Sequence, residues 1–367
     1  MTARVLIVSK PVVPPYHDGS ICLVRDLAGS FESVSPAVLT TRDAPAVGSR
    51  VHHTRLYANR GAYAPALSDN LRVLAYLLLG PRFDVWHFVF APNPRSSQAA
   101  SLARSVRRVP VVQTVASRPL TFTDSTRLMF GDKVVALSRF TADRLVAHGL
   151  PPSKLVVIPP PVRDVERTPQ QVSRARAWAS VPPDVPMFVY AGDLEFSSGA
   201  RTVAEAADAI LSAVDESVIV FACRAKTPRS RKVQEELQRM LIARRDRLRF
   251  AGEVPDLPAL LASATAAPFP ADDLYGKVDL PYAVLEACLM KVPVVVAARS
   301  PLEEIGGAIA IEPNDARELA AACIRLAREP EMRTSVGEQL RKHVLEKHDP
   351  GRVAHEYERI YASLAGN

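Results

Sequence analysis

The chain has 367 residues, 48% hydrophobic and 23% charged, with a formal net charge of +7. That length is more than one ordinary core accommodates, and the balance excludes both a disordered chain and a fibrous one. No run approaches the roughly 20 apolar residues of a membrane span, and Cys22, Cys223, Cys288 and Cys323 lack the spacing of a zinc site or a disulfide framework.

The charge is unevenly spread. Residues 1–164 carry 20 Lys and Arg against 10 Asp and Glu, whereas the remainder carries 26 against 29. A basic first half is either an arginine-rich solvated surface or a face that meets something anionic: a membrane surface, a phosphate-bearing acceptor or nucleic acid. No aromatic–basic platform accompanies it, so nucleic acid ranks last. The N-terminus enters a strand-like run at once and shows no signal-peptide pattern, and scattered cysteines suit a reducing compartment. The expectation is a cytoplasmic protein, with peripheral attachment to the inner face of the membrane as an option.

In chain order, Arg4–Ser9 (RVLIVS), Val85–Phe90 (VWHFVF), Pro110–Ala116, Lys133–Ser138 and Lys154–Pro159 read as strands. Helical spacing lies between them in SICLVRDLAGSF and SRFTADRLVAHG, the second opened by Ser138 as an N-cap and closed by Gly149. Near-continuous apolar strands joined by helices imply a parallel sheet covered on both faces. Pro159–Gln171 (PPPVRDVERTPQQ) interrupts the pattern as a linker. The alternation then restarts with PMFVYAG and a helix whose Val203, Ala207, Ile210, Leu211 and Val214 share one face. SVIVFAC, LRFAGEV, TAAPFP, VPVVVAA and AIAIEP supply further strands, and a last helix over about 350–365 carries Val353, Tyr357, Ile360, Tyr361 and Leu364 as its stripe. The fold class is α/β, with two successive doubly wound Rossmann-like halves, 1–165 and 166–349.

From Pro281 to Met290 the only charge is Glu286. Pro281 suits the start of a helix, and Glu286 falls about one and a half turns further in. A carboxylate in an apolar helix needs strong donors. A neighbouring arginine or indole would serve, and so would two vicinal sugar hydroxyls.

Four stretches occur in order: VVALSRFTADRLVAHGLPPSKLVVIPPPV, FVYAGDL followed by SSGARTVAEAA, LRFAGEVPDLPALLASA, and LPYAVLEACLMKVPVVVA. Together they resemble the GT-B glycosyltransferases of the family-4 type, which are retaining and use nucleotide-sugar donors. The resemblance covers most of the chain and is strongest from Lys133 to Glu304. It implies two Rossmann-like domains facing across a cleft. The first would bind the acceptor, and the second the nucleotide-sugar. The last helix would cross back to the first domain. It makes Glu286 the second Glu of the family's E-x7-E motif, on the ribose hydroxyls, with Tyr282 in the same helix on the donor side. Gly192, Gly252 and Glu253 fall in donor-side loops. Gly19 and Ser20 resemble the family's glycine-containing loop after the first strand, with Ser20 able to cap the helix; a plain strand-to-helix turn is the alternative. His87 is a catalytic candidate, lying where relatives often carry a histidine in the active-site cleft, with a satisfied core residue as the alternative. Ser138 and Arg139 fall on the acceptor side, where Ser138 also serves as a helix cap.

The departures bear on mechanism. The first Glu of E-x7-E is Val278, so Asp279 and Lys277 beside it are the candidate substitutes. Asp193 and Ser198 stand where the family carries an arginine and a lysine that neutralise the leaving diphosphate. Leaving-group charge still needs stabilisation. Arg224 and Lys226, leaving the end of SVIVFAC, are the candidate replacements, with a solvated basic turn as the alternative. The resemblance therefore implies a metal-independent transfer of a hexose from a nucleoside-diphosphate-sugar to a lipid-linked, saccharide or other anionic acceptor. No cofactor is expected; the DD pair in ADDL is a weak metal candidate. The alternative is a non-catalytic GT-B-like binding protein or a partner subunit.

Overall fold

The structure is a computed structural model and describes residues 2–59, 65–225 and 227–366. The chain divides into two compact units. The first comprises Met1–Arg163, Tyr275–Leu280 and Lys347–Asn367, and the second Asp164–Leu274 and Pro281–Glu346. The break at Arg163 lies inside the proline-rich stretch, which has no regular structure until Pro169.

The first unit is built on a seven-stranded parallel sheet. Its strands are β1 (Ala3–Val8), β2 (Val34–Thr41), β3 (His52–Tyr57), β4 (Val85–Phe90), β5 (Val111–Val115), β6 (Lys133–Ala136) and β7 (Leu155–Val157), in the order β3-β2-β1-β4-β5-β6-β7. Strands β1, β4 and β5 are central and almost wholly buried, which is why their sequences are near-continuous apolar runs. Edge strand β3 reads HHTRLY and buries only its last residue.

The helices of this unit are α1 (Gly19–Ala28), α2 (Leu67–Leu79), α3 (Pro94–Arg107), α4 (Ser125–Leu128) and α5 (Arg139–Ala147). Asn93 caps α3 by accepting from the Ser96 N–H, and Arg108 ends it in a left-handed conformation. On one face of the sheet, Val73 and Leu77 of α2 and Ala100 and Ala103 of α3 pack with Trp86 and Phe88 of β4.

The remaining helices are α6 (Pro169–Trp178), α7 (Gly199–Ala213), α8 (Pro228–Met240), α9 (Leu257–Leu261), α10 (Tyr282–Leu289), α11 (Ala316–Arg328), α12 (Pro330–Lys347) and α13 (Pro350–Ala365). Helix α13 belongs to the first unit and packs on α1, β1 and β4. Its inward side is Val353, Ala354, Tyr357, Glu358 and Tyr361. Glu358, a charge on that side, accepts the backbone N–H groups of Glu32 and Ser33 at 2.8 and 2.6 Å.

The second unit contains β8 (Met187–Tyr190), β9 (Val218–Phe221), β10 (Leu248–Phe250), β11 (Ala267–Phe269), β12 (Val294–Ala297) and β13 (Ile309–Ile311). They form two parallel three-stranded sheets, β10-β9-β8 and β11-β12-β13. A parallel bridge between Phe188 and Ala266 links β8 to the start of β11. Val203, Ala207, Ile210 and Leu211 of α7 are buried, as their spacing requires.

Both sheets thus reverse direction beside their first strand, at β1/β4 and at β8/β11. This is the doubly wound order, in which ligands bind beyond the carboxyl ends of the strands at the reversal.

Candidate functional site

In the second unit, the chain leaves β8 through a tight turn. Tyr190 is fully buried, and its hydroxyl donates to the Asp193 carbonyl at 2.8 Å. A Cβ on Gly192 would come within 2.2 Å of the Tyr190 ring, so this glycine is required by packing. The Asp193 carboxylate is almost buried and turns inward. One of its oxygens accepts from the N–H groups of Glu195, Phe196 and Ser197 at 3.0, 2.5 and 3.3 Å.

Ser198 precedes α7. Its N–H donates to Asp272 Oδ1 at 2.9 Å, from the loop after β11, while its own hydroxyl oxygen is buried without a hydrogen-bond partner among the described residues. The amides leading into α7, which would otherwise favour an external anion, are thus engaged by two carboxylates of the chain. Where the family resemblance implies two cations, this chain places a carboxylate bound to its own backbone and a short hydroxyl. Asp272 escaped the sequence reading except as half of the DD pair, because its partner lies 74 residues away.

Two more loops open on the same end of the sheet. Arg224 follows β9 and is about one-quarter exposed, with Nη1 3.7 Å from Glu253 Oε1 after β10. The structure therefore brings together two residues assigned separately to the donor side. Gly252 adopts φ +65° with open space around its Cβ position, so the backbone conformation requires glycine. Thr227 caps α8 and donates through Oγ1 to the Glu195 carboxylate at 2.6 Å, tying the β9 loop to the β8 loop. Lys226 lies outside the described residues. Pro281 is the N-cap residue of α10, and Tyr282 is its first residue, buried. Glu286 is half-buried, the one residue from Val284 to Leu289 that is not fully enclosed, and α10 packs on α9.

In the first unit, α1 starts at Gly19 and its cap is Asp18, which corrects the assignment to Ser20. The Ser20 N–H and hydroxyl both donate to Asp18 Oδ1 at 3.0 and 2.6 Å, and Lys10 Nζ lies 2.8 Å from Oδ2. The Asp that immediately precedes Gly19-Ser20 was the available signal.

His87 is fully buried on β4. Its Nδ1 lies 2.8 Å from the Tyr361 hydroxyl, and its Nε2 lies 2.7 Å from Thr114 Oγ1. Thr114 in turn contacts the Tyr357 hydroxyl at 3.0 Å. Burial alone depresses the imidazole pKa to about 3. Both ring nitrogens are engaged inside the core, which corrects the cleft assignment in favour of the core one.

Ser138 and Asp279, assigned to opposite halves, meet in the first unit. Ser138 Oγ accepts from the Thr141 N–H at 3.1 Å and donates to Asp279 Oδ2 at 2.7 Å. Both residues are buried, so the carboxylate rests against the N-terminus of α5, where the helix favours negative charge. Arg139 is exposed at the first position of α5, and Lys277 is partly buried in the segment that carries Asp279. That segment is anchored further by Tyr275, whose ring lies under the Arg118 guanidinium at 5.3 Å.

Comparison with known proteins extends these observations. The family model for the glycosyl transferase 4-like domain matches residues 17–161, and that for glycosyl transferases group 1 matches residues 185–329. Three solved structures cover nearly the whole chain. HepE from Anabaena, solved in complex with UDP and glucose, is 15% identical with a TM-score of 0.78, over 98% of this chain and 100% of that one. A glycosyltransferase from Rickettsia africae is 16% identical with a TM-score of 0.75, over 100% and 99%. Sucrose-phosphate synthase from Thermosynechococcus elongatus is 19% identical with a TM-score of 0.76, over 99% of each chain. At these identities the likeness is one of fold. No curated protein matches the sequence. The two models fall one on each unit, in the order of the two doubly wound sheets, and the chain belongs to the GT-B glycosyltransferases of the family-4 type.

Proposed function

We propose that the protein moves a hexose from a nucleoside-diphosphate-sugar to a lipid-linked or polysaccharide acceptor, with retention of configuration and without an essential metal. Glu286 carries this reading: a half-buried carboxylate among enclosed neighbours from Val284 to Leu289 has the placement needed to accept hydrogen bonds from two ribose hydroxyls. A matched fold solved with UDP-glucose supports the donor class. Arg224 is the described cation best placed to meet the diphosphate, since it leaves the carboxyl end of β9 and its ion pair with Glu253 is loose at 3.7 Å. Asp279, buried and held by Ser138 at the N-terminus of α5, acts as a positioning group for the segment that carries Lys277. No helix among the described residues is long and apolar enough to cross a membrane.

The test is calorimetry and thermal shift with UDP, GDP, ADP and their sugar conjugates. A ligand at about 100 times its Kd should raise stability by roughly 2.7 kcal/mol. Glu286→Gln keeps the shape and removes charge-assisted bonds, so affinity for the preferred nucleotide should fall by roughly 1.5–3 kcal/mol. No shift with any nucleotide, or unchanged affinity in Glu286→Gln, overturns the reading.

A further inference from the structure

Helix α2 is apolar on two sides. Val73 and Leu77 face the core, but Leu67, Leu71, Ala75 and Leu79 form a second row at four-residue spacing along its whole length, and that row is exposed. Leu67 is 75% exposed, Leu71 57% and Leu79 85%. Helix α3 packs beside α2 and repeats the arrangement. Ala100 and Ala103 face inward, while Leu102 and Val106, each 62% exposed, face out on the same side as Arg95. Arg107 ties the two helices by donating to the carbonyls of Leu78 and Gly80 at 2.7 and 3.0 Å. A helix that is apolar around most of its circumference is covered on both sides in a soluble core. Here nothing among the described residues covers the outer side.

The charges of the segment that carries these helices are mostly of one sign. From Pro65 to Pro110 there are six arginines, no lysine, no glutamate and two aspartates. Both aspartates are engaged: Asp69 is buried and paired with Arg72 at 2.5 Å, and Asp84 accepts the Arg4 N–H at 2.7 Å. Arg82, Arg95 and Arg108 are exposed and have no acceptor among the described residues.

We infer that the outer faces of α2 and α3 dock on an anionic lipid bilayer. Leucines inserted at the level of the acyl–headgroup boundary, with arginines reaching back to lipid phosphates, match how interfacial helices bind. A second copy of the chain fits less well. A two-fold contact would set this cationic face against itself.

The test needs no donor or acceptor, so it stands or falls apart from the transfer reaction. The full chain is sedimented with vesicles of phosphatidylcholine alone and with about one-third phosphatidylglycerol, at low and at physiological salt. Wild type should bind the anionic vesicles and release as salt rises. The double variant Leu71→Glu with Leu102→Glu should lose binding by about tenfold or more, with unchanged melting because both sites are exposed. Ile242→Glu, at a 60% exposed position of the second unit, should bind like wild type. Equal binding to neutral and anionic vesicles, or wild-type binding by the double variant, overturns the inference. So does a wild-type dimer that the double variant converts to a monomer, which would assign the face to a second copy.

Discussion

The buried His87 should make the first unit sensitive to acid. In the unfolded chain the imidazole titrates near its ordinary value of 6.5, and in the fold burial holds it near 3. The folded state therefore refuses a proton that the unfolded state accepts. The associated stability is complete above the unfolded pKa and drains away as pH falls toward the folded one. Between about pH 7.5 and about pH 5 the linkage amounts to roughly 2 kcal/mol. His87→Gln isolates this contribution. An amide can still bond to Tyr361 and Thr114, yet it does not titrate, so it removes the pH slope even if it lowers stability at every pH. Urea unfolding can be followed by Trp86 fluorescence in a Trp178→Phe background, since Trp86 is buried in the first unit and Trp178 is exposed in the second. The wild-type loss between the two pH values should exceed that of His87→Gln by about 2 kcal/mol. Equal losses would show that the imidazole is charged in the folded core, and the assignment of His87 to that core network would fail.

Arg224→Ala should weaken nucleoside diphosphates by roughly 1.5–3 kcal/mol while sparing the bare nucleoside, because charge-assisted bonds are lost only where phosphate is present. Calorimetry showing equal loss for both ligands, or the same loss in the exposed control Arg231→Ala, removes Arg224 from the phosphate. Gly192→Ala sets a methyl against the Tyr190 ring and should destabilise the second unit by about 1–3 kcal/mol in urea unfolding; a neutral result would mean that the β8 turn is not as tight as described. Ser138→Ala deletes a helix cap and a donor to buried Asp279, so a loss of roughly 2–4 kcal/mol is expected, with Ser138→Thr recovering most of it.

The central strands were legible because burial on both faces writes itself as an unbroken apolar run, as in Val85–Phe90. Edge strand β3, with two histidines, a threonine and an arginine, carries no such run. Strand β2 is interrupted by Pro36, and α2 carries leucines on two sides, so neither shows a clean period. Among the site residues, the isolation of Glu286 in an apolar helix could be read from order alone. The partners of Asp193 and His87 could not. Asp193 bonds to amides only because the β8 turn folds back on itself, and His87 is completed by Tyr361, 274 residues further along. Local pattern reports which face a residue takes; it does not report what arrives there from elsewhere in the chain.

That distance also sets a timetable for synthesis. The first unit is incomplete until α13 has been synthesised, because Tyr357, Glu358 and Tyr361 belong to its interior. Until then the Glu32 and Ser33 amides, the Thr114 hydroxyl and one nitrogen of His87 wait without these protein partners. Some 200 residues separate Arg163 from α13, so at ribosomal speeds of about 5–20 residues per second the nascent unit stands incomplete for roughly 10–40 s. The second unit, whose last residue is Glu346, can close first. The amino-terminal half is thus the last to become native. It is also the half whose leucine-rich α2 face is open to chaperones and membranes throughout that interval.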